Sequence, residues 1–255
     1  MNDLIQHLDD ILATTQVDDL WDLHVNKMKQ YGFDRLIFGF TRYCGETSFG
    51  DPDDWLVLTT QSPEYMNVFI GEGLYFDAPM LRWSMKNRGA CSWRWMTEPE
   101  NIERMTPAER RVLEFNRSMG VTAGYTISFL SVSARTKGAI ALTAAKGISQ
   151  GEIDATWDKH GREILLMNNV MHTKIQTLPY SGDRRLTSRQ REVLQWVGDG
   201  KSIQDIAVLL GRKPATIEKH LRLAREALGV ETTAQAVLKA ALFNQMFLPD
   251  TDVSG

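Results

Sequence analysis

The sequence predicts an α+β protein: an N-terminal α-β-α sandwich around an antiparallel sheet, followed by an all-α domain of four helices. Short β-branched and aromatic segments alternate with helical patterns up to residue 176. Residues 177–185 contain Pro179, Ser181 and Gly182, which are typical of a linker. Residues 186–255 show helical periodicity only, and a chain of 255 residues is long enough for two domains.

The first domain is predicted to begin with two helices, over residues 4–14 and 18–31, and to end with a long helix over 149–176. Strands are predicted at RLIFGFTRY (35–43), WLVLTT (55–60), GYTISFLSV (124–132) and GAIALTA (138–144), with CSW (91–93) as a fifth if it pairs. The turn-forming stretch GETSFGDPDD separates the first two strands, which we expect to be antiparallel.

Residues 63–88 have a helical but broken pattern, because Gly71 and Gly73 interrupt an aromatic-rich segment. A polar helix is predicted over 107–119. Helices on both faces of one sheet can leave a cavity between the layers, and an aromatic segment can form its wall. We therefore expect a pocket in the first domain.

Composition excludes several classes of protein. No apolar run approaches the roughly 18 residues that a membrane span requires. The N-terminus carries acidic residues where a secretory signal is basic, so a cytoplasmic location is expected. Cys44 and Cys91 are far apart and lack metal-ligand spacing, so neither a disulfide framework nor a metal site is expected.

Charge is distributed unevenly along the chain. The net charge is −3, yet residues 183–225 contain ten Lys or Arg against five acidic residues, a local excess of +5. Such an excess is typical of a surface that binds nucleic-acid phosphates. A solvated basic surface is the alternative that charge alone leaves open.

Capping signals divide the second domain into helices. Thr187 and Ser202 are candidate N-caps, with Asp205 completing a capping box for the second helix. Pro214 suits the first turn of the third helix, and Gly229 suits its end. Two helices joined by a short glycine-containing turn form a helix-turn-helix, whose second helix enters the major groove of DNA.

The predicted helix from Pro214 to Leu228, the second helix of the helix-turn-helix, has one apolar face. Ile217, Leu221, Ala224 and Leu228 follow helical spacing and are predicted to be buried. The pattern then predicts four residues near the start and on the outward face of the helix: Thr216, Lys219, His220 and Arg222.

The segment from LTSRQREVLQW to the LG at 228–229 resembles the LuxR/FixJ-type DNA-binding domain, with Gln190 where that family usually has Glu. The resemblance implies contacts to double-stranded DNA by Thr216, Glu218, Lys219, His220, Arg222 and Lys201. Glu218 could accept a hydrogen bond from a cytosine amino group or simply face solvent. In this family the last helix helps to form a homodimer, and packing within the domain is the alternative. Its predicted apolar face here is Ala234, Val237 and Ala241, with Phe243 or Met246 as further members.

SPEYMNVFIGEGLYFDAPML and GVTAGYTISF resemble segments of the acyl-homoserine lactone-binding domain of LuxR receptors. The resemblance implies that Asp77 accepts the amide N–H of the ligand. It also implies ligand contacts by Tyr65, Phe69, Trp93 and Thr143, with Trp95 competing for the place of Trp93. Tyr65 stands where the family has Trp, and Phe69 stands where it has Tyr and cannot donate a hydrogen bond. The alternatives are a helix N-cap at Asp77 and ordinary core packing for the aromatic residues.

These resemblances imply a quorum-sensing receptor that binds an acyl-homoserine lactone of medium or long chain and regulates transcription as a dimer on DNA, without a cofactor. A regulator that answers to a different small molecule, or to none, is the alternative. An enzyme is not expected, since the five histidines lack ligand spacing and the chain has no GxSxG motif or phosphate-binding loop.

Overall fold

The computed structural model describes residues 2–45, 50–131, 133–179 and 184–246. The chain divides into two compact units, Met1–Gln176 and Thr177–Gly255. Residues 180–183 of the predicted linker, residues 46–49 of the predicted first turn and residues 247–255 of the predicted second domain lie outside the described residues.

The first unit contains a five-stranded antiparallel sheet within the described residues. Its strands are β1 (Phe33–Thr41), β2 (Leu56–Thr59), β3 (Gly89–Ser92), β4 (Gly124–Ser128) and β5 (Lys137–Ala144), in the order β2-β1-β5-β4-β3. Its helices are α1 (Asn2–Ala13), α2 (Val17–Lys29), α3 (Pro63–Met66), α4 (Pro79–Lys86), α5 (Pro99–Arg104), α6 (Pro107–Ser118) and α7 (Gln150–Ile175). The α-β-α sandwich is confirmed, including the fifth strand at Cys91.

The broken helical segment is also confirmed. A π-helical turn over Asn67–Gly71 and a 3-10 turn over Leu74–Asp77 separate α3 from α4. Gly73 has a φ of +78°, a left-handed conformation that glycine adopts without a Cβ penalty. The sequence patterns did not predict α5 or the 3-10 turn over Trp93–Thr97.

The two helical layers lie on opposite faces of the sheet. Helices α2 and α7 pack on one face, with α1 against α7, and cover Leu36, Phe38 and Leu142, which are fully buried. Helix α4 lies on the other face, against β4 and β5. The alternation of side chains along each strand therefore separates two environments on the same sheet.

A carboxylate fixes the start of α7 to the edge of the sheet. Ser92 Oγ, Tyr125 OH and Gln150 Nε2 each donate to Asp154 Oδ1 at 2.8 Å. Arg94 Nη2 lies 2.6 Å from Asp154 Oδ2. Burial alone would raise the pKa of Asp154, but these hydrogen bonds favour the charged form and lower its pKa.

The second unit is helical throughout its described residues. It contains α8 (Ser188–Gly198), α9 (Ile203–Leu209), α10 (Pro214–Leu228) and α11 (Thr233–Leu242). Its core includes Leu194, Ile206 and Leu228 from three different helices. The predicted four-helix domain is confirmed. Within the part of the chain that the structure describes, no helix is long and apolar enough to cross a membrane.

Candidate ligand cavity and nucleic-acid interface

A cavity of about 310 Å³ lies on the face of the sheet opposite α7. Its floor is formed by alternate residues of two paired strands: Ile37 and Gly39 of β1 lie opposite Ala141 and Ala139 of β5. Three of these four residues have no side chain beyond Cβ. The small residues keep the middle of the floor low, which leaves space above the sheet.

Gly39 shows how open this space is. A Cβ built at Gly39 would meet no atom within 4 Å. Gly138 of β5 directly precedes Ala139, the residue paired with Gly39, and faces the other side of the sheet. A Cβ at Gly138 would lie 2.5 Å from the His172 ring. The missing side chain at Gly39 thus contributes to the cavity, whereas the missing side chain at Gly138 allows the imidazole of His172 to pack against the sheet.

Aromatic side chains form the walls. Tyr65 of α3 and Phe69 of the π-helical turn stack at 5.2 Å between ring centroids, and both line the cavity. Trp55 and Tyr75 meet edge to face at 5.3 Å and line it as well. The aromatic, glycine-interrupted segment therefore does form the predicted wall.

The polar groups at the aromatic end already have protein partners. Tyr65 OH donates to Asn116 Oδ1 at 2.8 Å, and burial raises the pKa of Tyr65, so the phenol stays protonated. Trp93 Nε1 donates to Thr126 Oγ1 at 2.9 Å. A ligand carbonyl at this end must share or displace these donors.

The structure brings four of the five predicted ligand residues to one cavity, which Tyr65, Phe69, Trp93 and Thr143 all line. Thr143 Oγ1 also accepts a long hydrogen bond of 3.4 Å from Gln61 Nε2.

Asp77 is the exception, since it is half-buried at the end of the 3-10 turn and is not among the lining residues. It is not the N-cap of α4 either, because that position is Ala78, with no side-chain cap.

Gly124, which the resemblance singles out, supports Trp93. A Cβ at Gly124 would collide with the Leu142 carbonyl oxygen and would lie 3.0 Å from the Trp93 ring. Glycine is therefore required for β4 to approach both β5 and the indole this closely.

Sequence reasoning missed Lys137, which lines the cavity from the first position of β5. Its Nζ donates to Ser128 Oγ at 2.9 Å, and burial lowers the pKa of Lys137. The signal was present in KGAIALTA, where every second residue from Lys137 onward falls on one face of the strand.

The second unit has helix-turn-helix geometry. Ser202 caps α9 with the predicted capping box, in which Ser202 N donates to Asp205 Oδ2 at 2.9 Å. Pro214 starts α10, and Gly229 ends it in the left-handed conformation with a φ of +63°. These caps fix the lengths of both helices and the turn between them.

The predicted DNA-facing residues lie on the solvent side of this unit. Lys201, Glu218, Lys219 and Arg222 are exposed, and Thr216 and His220 are partly exposed. The predicted apolar stripe is confirmed, because Ile217, Leu221, Ala224 and Leu228 are all buried. Arg222 Nη1 lies 2.5 Å from Glu226 Oε1, an exposed pair that is available to rearrange around a phosphate.

Gln190 retains the hydrogen bonds expected at its position. Its Oε1 accepts from Thr187 N at 2.8 Å, and Gln190 N donates to Thr187 Oγ1 at 3.3 Å. The neutral amide thus completes the capping box of α8 without a carboxylate.

The predicted apolar face of the last helix is divided between the core and the surface. Val237 packs against the core, where Ala236 and Ala240 lie, and Phe243 and Met246 are buried. Ala234 and Ala241 are exposed. Packing within the domain therefore accounts for only part of that face, because the abundant alanines make two faces of the helix almost equally apolar.

No group of three or more His, Cys, Asp or Glu residues that could hold a metal occurs among the described residues. Both cysteines are free, and burial raises the pKa of each thiol. Nothing in these thiols indicates a nucleophile, since activation requires a lowered pKa.

Comparisons with known proteins give a family match in each unit. The family model described as "Autoinducer binding domain" matches residues 16–175, and the model "Sigma-70, region 4" matches residues 184–228. The transcriptional activator EsaR of Pantoea stewartii subsp. stewartii is 20% identical over 73% of this chain and 78% of its own. The transcriptional activator LuxR of Aliivibrio fischeri is 23% identical over 77% of each chain.

A solved structure shares the fold of the first unit. It is the N-acylhomoserine lactone-dependent LuxR-family transcription factor CepR2 of Burkholderia cenocepacia. The match has a TM-score of 0.51 at 11% identity and covers 67% of this chain and 92% of that one. The relatives are transcriptional activators and not enzymes. With an autoinducer-binding domain over most of its length and a helix-turn-helix behind it, the chain belongs to the LuxR-type quorum-sensing transcription regulators.

Proposed function

We propose that the first unit binds an acyl-homoserine lactone of medium or long chain, and that this ligand controls how the second unit binds double-stranded DNA as a homodimer. The observation that supports the proposal is the cavity over Gly39, Ala139 and Ala141, which has room for an apolar chain. Each buried CH₂ contributes about 0.8 kcal/mol, so chain length is a strong determinant of affinity.

Ligand control follows from linkage. A ligand that binds the folded unit stabilises it in proportion to the logarithm of ligand concentration over Kd. It also shifts the population toward whichever arrangement of the protein leaves the cavity filled. DNA affinity then depends on the ligand wherever the two populations differ in DNA binding.

A second candidate is a LuxR-type regulator whose ligand has a different head group. Two observations favour it: Asp77 lies outside the cavity lining, and the Tyr65 and Trp93 donors are already bonded within the protein. A lactone-amide head group therefore finds fewer free partners here than the resemblance implies. The acyl-binding part of the cavity serves both candidates.

Thermal unfolding with a series of acyl-homoserine lactones, from butanoyl to tetradecanoyl, tests the ligand. We expect the midpoint to rise with chain length until the cavity is full, and an acyl compound to copurify when the lactone is supplied during expression. A midpoint that no member of the series moves, together with no copurified acyl compound, would reject the lactone.

Charge and exposure support the DNA surface. Lys201, Lys219 and Arg222 are exposed cations suited to phosphates. Thr216 and His220 are our candidates for contacts to base edges, and Glu218 is exposed and either accepts from a cytosine amino group or faces solvent. Lys219→Ala and Arg222→Ala should each weaken binding and lower the salt slope by about one for a lost phosphate contact. Lys159→Ala, an exposed lysine of the first unit, is the matched control.

The exposed side of α11 supports the homodimer. Ala234, Leu238 and Ala241 are spaced four and three residues apart on that side, and Leu238 is 59% exposed. Leu238→Asp should give a monomer in sedimentation and weaker binding to a two-fold DNA site. Leu130→Asp, at an equally exposed leucine of the first unit, should change neither.

A further inference from the structure

The cavity is cationic at its edges and lacks acids. Its described lining residues include Arg117 and Lys137 but no Asp or Glu. Most of the remaining lining is aliphatic or aromatic. A ligand that is polar along its whole length, or one that carries a positive charge, should therefore bind weakly in this cavity.

Lys137 is held at one end of the floor. It starts β5, pairs with Thr41 of β1, and falls on the same strand face as Ala139 and Ala141. Its Nζ donates to Ser128 Oγ at 2.9 Å, and that hydroxyl has the Ser84 carbonyl oxygen within 2.8 Å. The ammonium is thus positioned where β4, β5 and α4 meet.

The ammonium of Lys137 has donors to spare. It carries three N–H groups, and Ser128 accepts one of them. Among the described residues, no carboxylate lies within ion-pair distance of Nζ. Burial lowers the pKa of Lys137, because the charged ammonium loses contact with water there. A bound anion would offset that loss by accepting hydrogen bonds from the ammonium.

We propose that the ligand of this cavity is a carboxylate amphiphile, with its carboxylate bound by Lys137 and its acyl chain lying over Gly39, Ala139 and Ala141. This inference rests on the second candidate under the proposed function, a ligand with a different head group, because it assumes that the cavity is the ligand site. Arg117 is the weaker candidate for the anion, since it is exposed and its field is screened by solvent and salt.

The floor has the length for such a molecule. Lys137 and Thr143 both line the cavity, and they are six residues apart on one strand. At about 3.3 Å per residue this separation is roughly 20 Å. An extended chain bound at Lys137 therefore runs along β5 toward the aromatic end at Tyr65 and Trp93. The same carboxylate is carried by a plain fatty acid and by an acyl-homoserine whose lactone ring has been opened.

Four probes of one chain length separate these chemistries in titration calorimetry with the full chain. They are dodecanoate, methyl dodecanoate, N-dodecanoyl-homoserine lactone and its ring-opened acid. We expect both acids to bind at least about tenfold more tightly than the methyl ester, as a charge-assisted hydrogen bond implies. The tighter of the two acids identifies the source of the carboxylate.

Variants locate the anion. Lys137→Met keeps the apolar stem and removes the charge, so it should abolish the preference for acids, whereas Lys137→Arg should retain it. Lys146→Met, at an exposed lysine just past β5, is the matched control and should change nothing. Arg117→Met tests the other cation of the lining.

The outcomes are distinguishable. If lactone and methyl ester bind as tightly as the acids, or if Lys137→Met leaves the preference intact, the carboxylate proposal is overturned while the cavity remains the ligand site. If the preference is lost in Arg117→Met instead, the location is overturned. If none of the four probes binds, the ligand function of the cavity itself is rejected, and this inference with it.

Discussion

The two faces of the sheet are built from the same strands and differ in how they are filled. Toward α2 and α7, the strands present Leu36, Phe38 and Leu142, each with no exposed surface. Toward the cavity, the neighbouring positions hold Gly39 and Ala139. One face is close-packed, and the other leaves a void large enough for a ligand.

The face of the sheet on which a strand residue lies therefore decides whether that residue contributes to folding stability or to ligand binding. Because successive side chains alternate between faces, adjacent residues serve different purposes. Substitutions on the packed face should change the free energy of unfolding, and substitutions on the cavity face should change ligand affinity.

The largest effect is expected on the packed face. Phe38 is fully buried and packs against Phe129 at 6.0 Å and His172 at 5.8 Å between ring centroids. Phe38→Ala should lower the free energy of unfolding by about 3 to 5 kcal/mol, measured by urea denaturation. Ile37→Ala, one residue away on the cavity floor, should cost clearly less. Equal losses would contradict the separation.

Filling the void should act on binding alone. Gly39→Leu directs its side chain into open space, so acyl ligands should bind at least about tenfold more weakly. The free energy of unfolding should change by less than about 1 kcal/mol, because a Cβ there meets no atom within 4 Å and the rest of the side chain enters the cavity.

The control for this substitution is Gly138→Ala on the adjacent strand, where the new Cβ would press on the His172 ring. It should destabilise the protein and leave ligand affinity of the folded form intact. Calorimetry and urea denaturation on both variants measure the two effects, and a ligand affinity unchanged in Gly39→Leu would place the ligand elsewhere.

The layers of the first unit and the caps of the second were predictable from sequence because both depend on local signals. Strand composition and helical periodicity report directly on which side of an element is apolar. Ser202, Pro214 and Gly229 act within one helical turn of their own positions. At α11 the sequence left packing within the domain and dimer contact open for the same reason, because a helix of alanines gives no strong periodicity.

The details of the cavity were not predictable in this way. Whether Asp77 reaches the ligand depends on how a 3-10 turn is oriented over the sheet, and no residue spacing encodes that orientation. Lys137 reads as the end of a loop until its strand register with Thr41 is known. The partners of Tyr65 and Trp93 come from α6 and β4, which are distant in sequence.

Acid should weaken the packed face before it affects the cavity. His24 and His172 lie on the helical side, and burial lowers the pKa of each from 6.5 to about 4. As the pH falls from 6.5 toward 4, these two histidines become protonated in the unfolded chain but stay neutral in the folded chain. Stability decreases through that window, by about 1.4 kcal/mol per pH unit for each histidine.

His172→Phe tests this dependence, because the ring stacks on Phe129 at 4.0 Å and leaves Nδ1 without a partner among the described residues. The slope of unfolding free energy against pH should become shallower in the variant. His160→Phe, at a half-exposed position, should retain the full slope. A slope that His172→Phe leaves unaltered would assign the acid sensitivity to other groups.

The smallest effect is expected at Asp77, the residue that the family resemblance favours most. Its neighbours Tyr75 and Ala78 line the cavity, while its own side chain does not. Asp77→Ala should therefore change acyl-ligand affinity by less than about twofold, against the tenfold or more that losing a charge-assisted hydrogen bond costs.

Calorimetry with dodecanoyl-homoserine lactone measures the Asp77→Ala effect, with Glu72→Ala in the preceding turn as an exposed acidic control. A tenfold loss confined to Asp77→Ala would mean that the carboxylate turns inward when the ligand enters. The cavity face would then include a residue that strand alternation does not place there, and the head group would be an amide recognised in the manner of the family.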